Sequence, residues 1–332
     1  MIHDVVIVGG GPAGAACAYW LARAGLEVAV LDNSHPREKP CGGLISQDAF
    51  EHFPPLGDFS EIRPFRGQIL LKVGGKELHY NPASRKKKIY QALRSDLDLF
   101  FLDKAEQAGA AWIRMKAGSV RRHKEFWSVT GSERELRAGL IVGAEGTRSL
   151  VAKAVGQDLT REDVVAVSGA TMREEMPGAI EIEVREKWLG FVIPKPGRTD
   201  VGIASRLTHA VRMGKILSGF AAGKGLIIED GRKWFTMMPS LAVSGFRDRP
   251  ISSEDWLLVG DAAGQCDPLT GEGIKYALWG AKIAADCIAR GKPGEYQQLC
   301  SKAFMKRLSV SARVARGPIQ MFITALELFG SE

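Results

Sequence analysis

Three glycines and one aspartate near the start of the chain have the spacing that holds a dinucleotide. Gly9, Gly11 and Gly14 follow the apolar run 5–8, and Asp32 ends a second apolar run. The first glycine of such a motif permits a tight turn, the second lets the backbone approach a pyrophosphate, and the third allows close helix–strand packing. The helix that starts there offers free N–H groups to the anion. Asp32 can accept hydrogen bonds from ribose hydroxyls. The motif predicts a dinucleotide site without separating FAD from NAD.

Two later stretches also carry residue types suited to a cofactor site. Cys41 precedes two adjacent glycines, which indicate backbone that passes close to a planar or bulky group, although a plain glycine turn has the same pattern. Residues 256–259 form another apolar run, after which Gly260, Asp261 and a Pro/Gly-rich loop lead to a long predicted helix that opens at residues 271–274. We expect the second of these stretches to begin at the end of a buried strand, and the first to lie in a loop.

The elements that must position these residues follow from the hydrophobic pattern. We predict a strand, helix and strand over residues 4–32, a hairpin over 67–80 around two glycines, and a helix over 90–109. Residues 164–246 alternate as strands, interrupted by one helix at 208–223. The tail 296–332 reads as helical, broken at residues 317–318, with its last piece packing on the body or contacting a membrane surface or partner.

The fold class that we predict is α/β (α+β). A Rossmann-like FAD-binding domain would carry an inserted antiparallel-sheet substrate domain and C-terminal helices. The boundaries that we assign are residues 1–65, 89–160 and 248–294 for the discontinuous cofactor domain, 66–88 and 161–247 for the substrate domain, and 295–332 for the helical segment.

Composition narrows the class of protein. The chain has 332 residues and a net charge of +7, which suits an ordinary globular protein, anionic ligands or a membrane surface. Five scattered cysteines without metal-type spacing favour a reducing cytoplasm and no metal site. We find no signal peptide, membrane span or nucleic-acid module. The cluster 85–88 is expected to be a solvated loop or a headgroup or diphosphate contact, and His35 is expected to be exposed.

Together these motifs resemble one superfamily, the FAD enzymes with the p-hydroxybenzoate hydroxylase fold, and within it the geranylgeranyl reductase-like branch. The resemblance spans residue 1 to about residue 290. It rests on the glycine motif with Asp32, on the segment 39–43, on Arg94 with Asp98, on the segment 143–149, and on the segment 260–274. This last motif favours FAD over NAD.

The resemblance implies roles for individual residues. Asp261 would accept a hydrogen bond from a ribityl hydroxyl, and the helix after Gly273 would point its positive end at the flavin ring. Cys41 would border the flavin and is a candidate for protonating or orienting substrate, or for pairing with Cys266. The full set that the resemblance assigns to FAD is Gly9, Gly11, Pro12, Ala13, Gly14, Asp32, Asn33, Cys41, Gly42, Gly43, Arg94, Ala144, Glu145, Gly146, Gly260, Asp261, Pro268, Gly271, Gly273 and Ile274.

Two departures from the family pattern bear on function. Glu145 stands where an aspartate is usual, which puts direct use of NADPH in doubt. The strand expected to line a lipid tunnel is mostly aliphatic, and its predicted pocket residues are Leu189, Phe191, Ile193 and Pro194. An apolar small-molecule or lipid substrate is therefore expected, but its identity stays open.

Three functions are compatible with these residues. The first is an FAD-dependent reductase that saturates C=C bonds of a prenyl lipid or similar apolar substrate. The second is a monooxygenase, and the third is a flavin-binding protein without redox turnover. The sequence does not identify the electron donor, which could be NAD(P)H, ferredoxin or another donor. A protein that donates electrons is therefore one of the expected partners. We expect a cytoplasmic protein, with peripheral contact at the inner face of the membrane as an alternative.

Overall fold

The structure, a computed structural model, describes residues 2–84, 88–132, 134–176, 178–228, 231–240 and 249–316. Its strands, in chain order, are β1 (Ile2–Val8), β2 (Val28–Leu31), β3 (Leu44–Ser46), β4 (Arg63–Pro64), β5 (Ile69–Val73), β6 (Lys76–Tyr80), β7 (Ile89–Gln91), β8 (Ala111–Ile113), β9 (Ser119–Arg122), β10 (Trp127–Thr130), β11 (Glu135–Gly143), β12 (Val164–Met172), β13 (Ile180–Val184), β14 (Trp188–Lys195), β15 (Arg198–Arg206), β16 (Arg232–Pro239) and β17 (Trp256–Leu258). The α-helices are α1 (Pro12–Arg23), α2 (Ala49–His52), α3 (Arg94–Gln107), α4 (Leu150–Ala154), α5 (Met213–Ala222), α6 (Ile274–Ala289), α7 (Tyr296–Cys300) and α8 (Lys306–Arg316).

The first sheet holds the predicted dinucleotide motif. Its order is β8-β2-β1-β11-β10-β9, with β17 paired to the end of β11. The pairs among β8, β2, β1, β11 and β17 are parallel, whereas β9 and β10 run antiparallel. The second half of β1 (residues 5–8) and all of β2 are buried, because helices α1, α3 and α6 pack beside them. Parallel strands with helical crossovers confirm the predicted Rossmann-like fold class.

The second sheet is built mainly from the middle of the chain. Its order is β16-β12-β15-β14-β13-β5-β6, and every pair is antiparallel except β13 with β5. One face packs on α5 through Val192, Val201, Ile203 and neighbouring apolar residues. The predicted hairpin is confirmed as β5 and β6. The domain boundaries themselves stay a prediction.

One predicted helix begins later than expected. Residues 90–91 belong to β7, which pairs with β3 and β4 in a small third sheet, so α3 starts at Arg94. The apolar pattern of residues 90–93 fits a helix locally, but strand pairing decides their conformation. The C-terminal helices are confirmed over residues 296–316, while the predicted final piece lies outside the described residues, as do residues 85–87. Within the described chain, no helix is long and apolar enough to cross a bilayer.

Candidate functional site

The turn between β1 and α1 has the geometry that the glycine spacing predicts. Gly9 has a φ of +101°, and a Cβ there would lie 2.5 Å from the Ala144 carbonyl oxygen. A Cβ on Gly14 would lie 1.9 Å from the Gly9 oxygen. At Gly11, by contrast, a Cβ would meet no described atom within 4 Å. Two glycines are therefore required by the protein's own packing, and Gly11 faces space that a ligand can occupy.

Asp32 lies at the end of β2 and binds the same turn. Its carboxylate accepts hydrogen bonds from Gly10 N–H at 2.8 Å and from Ser34 N–H and Oγ at 2.8 and 2.6 Å. Burial alone would raise the pKa of Asp32, but the His35 contact and these hydrogen bonds hold the pKa below its usual value. The expectation that His35 is exposed is wrong. Its ring is buried, with Nε2 at 3.4 Å from Asp32 Oδ2, because the loop folds back on the carboxylate.

The Cys-Gly-Gly loop is held from two sides. Gly43 has a φ of +65°, its carbonyl accepts from Ala92 N–H, and a Cβ there would overlap the Ala92 oxygen. A Cβ on Gly42 would lie 3.0 Å from Ile193 Cδ1 of the second sheet. Gln91 Nε2 donates to both the Gly42 and the Pro194 carbonyls, at 3.2 and 2.8 Å. The loop therefore joins the cofactor side of the molecule to the second sheet.

Arg94 stands at the start of α3 and is buried. On local grounds a single cation there is expected at the surface, but Nε and Nη2 donate to the two carboxylate oxygens of Asp98 at 2.7 and 2.8 Å. Burial acts to lower the pKa of Arg94, but the neighbouring Asp98 carboxylate outweighs burial. The pKa of Arg94 therefore lies above its usual value. Cys41 lies next to this guanidinium, is half-buried, and accepts a 3.4 Å hydrogen bond from Gly43 N–H at its Sγ.

Glu145 turns toward its own chain. Its carboxylate accepts from Ser149 Oγ at 2.6 Å and from the N–H groups of Leu150 and Val151, which lie at the start of α4. Burial raises the pKa of Glu145, although these hydrogen bonds act in the opposite direction. The side chain is thus engaged in capping a helix, while the backbone of residues 144–146 lies beside Gly9.

The turn after β17 brings the second predicted motif to the same place. A Cβ on Gly260 would lie 2.7 Å from Ala13 Cβ, which places this turn against the start of α1. Asp261 Oδ2 is 3.4 Å from Lys39 Nζ, and its Oδ1 lies 3.6 Å from where a Cβ on Gly273 would be. Gly273 is the N-cap of α6, and among the described residues no side chain caps that helix. Its first N–H groups are therefore available to an acceptor.

The loop between that turn and α6 is braced by Asp267. Its Oδ1 accepts from Leu269 and Thr270 N–H at 2.8 and 3.2 Å, and its Oδ2 accepts from Ser311 Oγ of α8 at 3.0 Å. Pro268, Gly271 and Ile274 follow in the same loop and helix start. The predicted cofactor residues of this motif are thus brought together with those of the first.

The predicted substrate-pocket residues lie on β14. Leu189, Phe191 and Ile193 point to the face opposite α5 and are half-buried, whereas Pro194 lies on the other face. The Phe191 ring covers Gly202 and stacks on Trp234 at 6.5 Å between centroids. The apolar face continues through neighbouring strands, with half-buried side chains at Ile69, Leu71, Leu78, Ile182 and Val184.

A buried lysine that sequence reasoning missed anchors the Cys-Gly-Gly loop. Lys195 Nζ is 2.8 Å from both Glu38 Oε1 and Asp200 Oδ2, and it donates to the Cys41 carbonyl at 3.1 Å. Glu38 also accepts from Ser95 N–H in the first turn of α3. A cation directly after an apolar strand was the available signal for Lys195. No signal in the sequence pointed to Gln91.

All five cysteines are free thiols, so Cys41 and Cys266 do not pair. Cys266 is buried, and burial raises the pKa of its thiol well above the usual value. Among the described residues, no cluster of potential metal ligands is present.

The residues gathered here fit a flavin dinucleotide. Open space above Gly11 adjoins the uncapped N-terminus of α1, where a pyrophosphate is stabilised. Asp32 lies on one side of that turn, and Asp261 with the uncapped start of α6 lies on the other. This arrangement supplies acceptors for hydroxyl groups and two helix dipoles for negative charge.

Comparison with known proteins agrees with this geometry. Residues 3–213 match the family model described as FAD binding domain. A menaquinone reductase of Mycobacterium tuberculosis is 29% identical, over 97% of this chain and 88% of that protein. Digeranylgeranylglycerophospholipid reductase 2 of Methanothermobacter thermautotrophicus is 29% identical, over 87% of this chain and 78% of its own length.

Among solved structures, a geranylgeranyl bacteriochlorophyll reductase-like protein of Thermoplasma acidophilum has a TM-score of 0.80 at 20% identity. The match covers 100% of this chain and 92% of that one. This likeness concerns the fold.

Proposed function

Because this chain belongs to the FAD binding domain family and is an FAD-dependent oxidoreductase resembling the geranylgeranyl reductases, we propose that it reduces C=C bonds of a prenyl lipid or similar apolar substrate. The observation that carries the proposal is the apolar face of the second sheet. That face turns away from α5 and toward the predicted cofactor turns. Ile193 lies against Gly42, and Met238 Cε would be 3.7 Å from a Cβ on Gly271.

The side chains on this face suit a long hydrocarbon. Leu189, Phe191 and Ile193 are only half-buried, so part of their apolar surface is available to a ligand. Burying apolar surface stabilises a complex by about 25 cal/mol per Å². An alkene is poorly electrophilic, so a reductase must also hold it in place and exclude water. An aliphatic and aromatic wall beside the cofactor site meets both requirements.

When bound in reduced form, FAD supplies the hydride for this chemistry. The protein's residues would orient the alkene and deliver the proton. Cys41 is our candidate for the proton donor, because its half-buried thiol lies in the loop that joins the cofactor turns to the apolar face. Gln91 and Lys195 hold that loop through its backbone carbonyls, which would fix the position of the thiol.

The deciding experiment measures products by mass spectrometry. Purified protein is reduced with dithionite under anaerobic conditions, so that the natural electron donor is not needed, and a mixed prenyl-lipid extract is added. We expect products heavier by two hydrogens for each reduced double bond. Oxygen insertion in air with NADPH, without anaerobic reduction, would instead support a monooxygenase. Bound flavin with neither reaction would support a flavin-binding protein without turnover.

We also propose that the protein contacts an anionic membrane surface through its C-terminal helices. Lys302, Lys306, Arg307 and Arg313 are exposed, and residues 296–316 contain no acid. Within the described chain, none of these four cations forms an ion pair with another residue. Basic helices gain affinity for anionic lipid. Co-sedimentation with phosphatidylglycerol vesicles, absent with phosphatidylcholine vesicles, is the expected result, and equal sedimentation with both would contradict it.

A further inference from the structure

Three arginines line a pocket of about 460 Å³ where β12, β15 and β16 meet. Arg173 follows the end of β12, Arg198 opens β15 and Arg232 opens β16. No acid lines this pocket, and no ion pair joins any of the three guanidinium groups to another described residue. The nearby acids are engaged elsewhere: Asp200 by Lys195 and Thr171, and Glu175 by Gly197 N–H. Glu38 is bound by Lys195 and Ser95 N–H. Burial acts to raise the pKa of Glu38, but Lys195 and, more weakly, Arg198 hold that pKa below its usual value.

The strand register places this cationic cluster on the apolar face. Asp200 pairs with both Ile193 and Thr171, and Thr171 pairs with Arg232, so these side chains form one row across the sheet. The next row toward the strand ends begins with Lys195 and Arg198. The neighbouring row in the other direction contains Phe191 and Trp234. One sheet face therefore changes from cationic to apolar over a few residues.

We propose that this cluster, the arginines 173, 198 and 232, binds the phosphate or diphosphate headgroup of an amphipathic prenyl substrate. Guanidinium groups bind phosphate oxygens through paired, charge-assisted hydrogen bonds. The headgroup would lie in the arginine pocket, and the hydrocarbon would extend over Ile193 and Phe191. This inference rests on the proposed function and narrows it to substrates that carry a phosphate, rather than uncharged quinones or alcohols.

A direct test is binding of inorganic pyrophosphate to the flavin-loaded protein, measured by calorimetry at low ionic strength. We expect saturable binding that weakens about tenfold or more in the double variant R198Q/R232Q, because charge-assisted hydrogen bonds are lost. Arg206→Gln is the matched control. Arg206 is exposed on the same strand and face as Arg198, about 26 Å away. Absence of pyrophosphate binding, or equal weakening in the control, would overturn the proposal.

Kinetics separate this inference from the proposed function and identify the source of the phosphate. With a prenyl diphosphate, R198Q/R232Q should raise KM about tenfold, whereas the control Arg206→Gln should leave KM unchanged. A rise in KM for NADPH instead would assign the pocket to the donor's phosphate and overturn the headgroup assignment. If no prenyl lipid is reduced but pyrophosphate still binds through these arginines, the proposed function fails and the anion site stands.

Discussion

The cofactor side and the apolar face of the second sheet differ in what specifies them. On the cofactor side, backbone atoms approach so closely that Gly9, Gly14 and Gly43 leave no room for a Cβ. On the apolar face, Leu189, Phe191 and Ile193 come from a regular strand whose backbone would accept many other side chains. The first region is specified by backbone geometry, and the second is specified by side-chain volume and polarity. If the apolar face binds the substrate as proposed, we expect substitutions on the sheet to change the substrate range while the cofactor site stays intact.

The strongest test of this contrast compares two glycines of one turn. Gly14→Ala should lower the free energy of unfolding by at least about 3 kcal/mol, because its Cβ would lie 1.9 Å from the Gly9 oxygen. Gly11→Ala should change the stability of the apoprotein by no more than about 1 kcal/mol. It should nevertheless weaken FAD binding about tenfold or more, since its methyl group would point where the pyrophosphate is expected. Urea denaturation of the two apoproteins measures the change in stability, and titration with FAD measures the change in affinity. Equal destabilisation by the two changes would contradict it.

Lys195→Met breaks the connection between the two regions. Removing one partner of a buried ion pair costs about 3–5 kcal/mol, because the buried Asp200 and the half-buried Glu38 would both lose their cation. The change should appear as a lower urea midpoint. Lys187→Met, an exposed lysine just before the same strand, serves as the control and should change stability little. A loss below about 1 kcal/mol in Lys195→Met would show that the network contributes little.

Asp261→Ala tests the cofactor side without touching the sheet. If Asp261 accepts a hydrogen bond from FAD, its removal should weaken binding about tenfold to a hundredfold, and the protein should purify nearly colourless. Flavin content and fluorescence titration measure this. Asp286→Ala removes an exposed acid of α6 that pairs with Lys282, and it should retain its flavin. Full flavin content in Asp261→Ala would remove that residue from the cofactor site.

Phe191→Trp tests the apolar face and should have the smallest effect. A larger ring should narrow the space beside the apolar face. It should therefore shift the preference among prenyl chain lengths several-fold, with flavin content unchanged. Phe235→Trp makes the same change on the opposite face of the sheet, where Phe235 is 51% exposed. If both variants keep the wild-type preference, Phe191 does not line the pocket.

Much of the fold could be predicted because its signals are local. The glycine motif between two apolar runs predicted β1, α1 and β2, and alternation predicted the strands of the second sheet, including β12 at residues 164–172. The predicted start of α3 was wrong because residues 90–91 pair with strands that lie more than 20 residues away in sequence. Strand pairing across that distance cannot be read from the local sequence pattern.

The site was predictable only in part for the same reason. His35 was expected in solvent because its neighbours are polar, yet contact with Asp32 buries it. Gln91 and Lys195 act through partners from distant segments, and the three arginines of the cluster come from the ends of three different strands. Lys195, for example, meets Glu38 from 157 residues away. Spacing reveals residues that act through their own backbone, and it does not reveal side chains that meet only after folding.

The pairing of β5 with β13 has a consequence for how the chain is made. The hairpin of β5 and β6 leaves the ribosome well before β13, which is its partner in the second sheet. The first sheet in turn receives β17 only after the whole second sheet has been synthesised. The second sheet can therefore be completed while the chain is still growing, but the first sheet cannot. Many of the contacts are also non-local, a topology that slows folding. We therefore expect chains that terminate before β17 to be retained by chaperones or degraded.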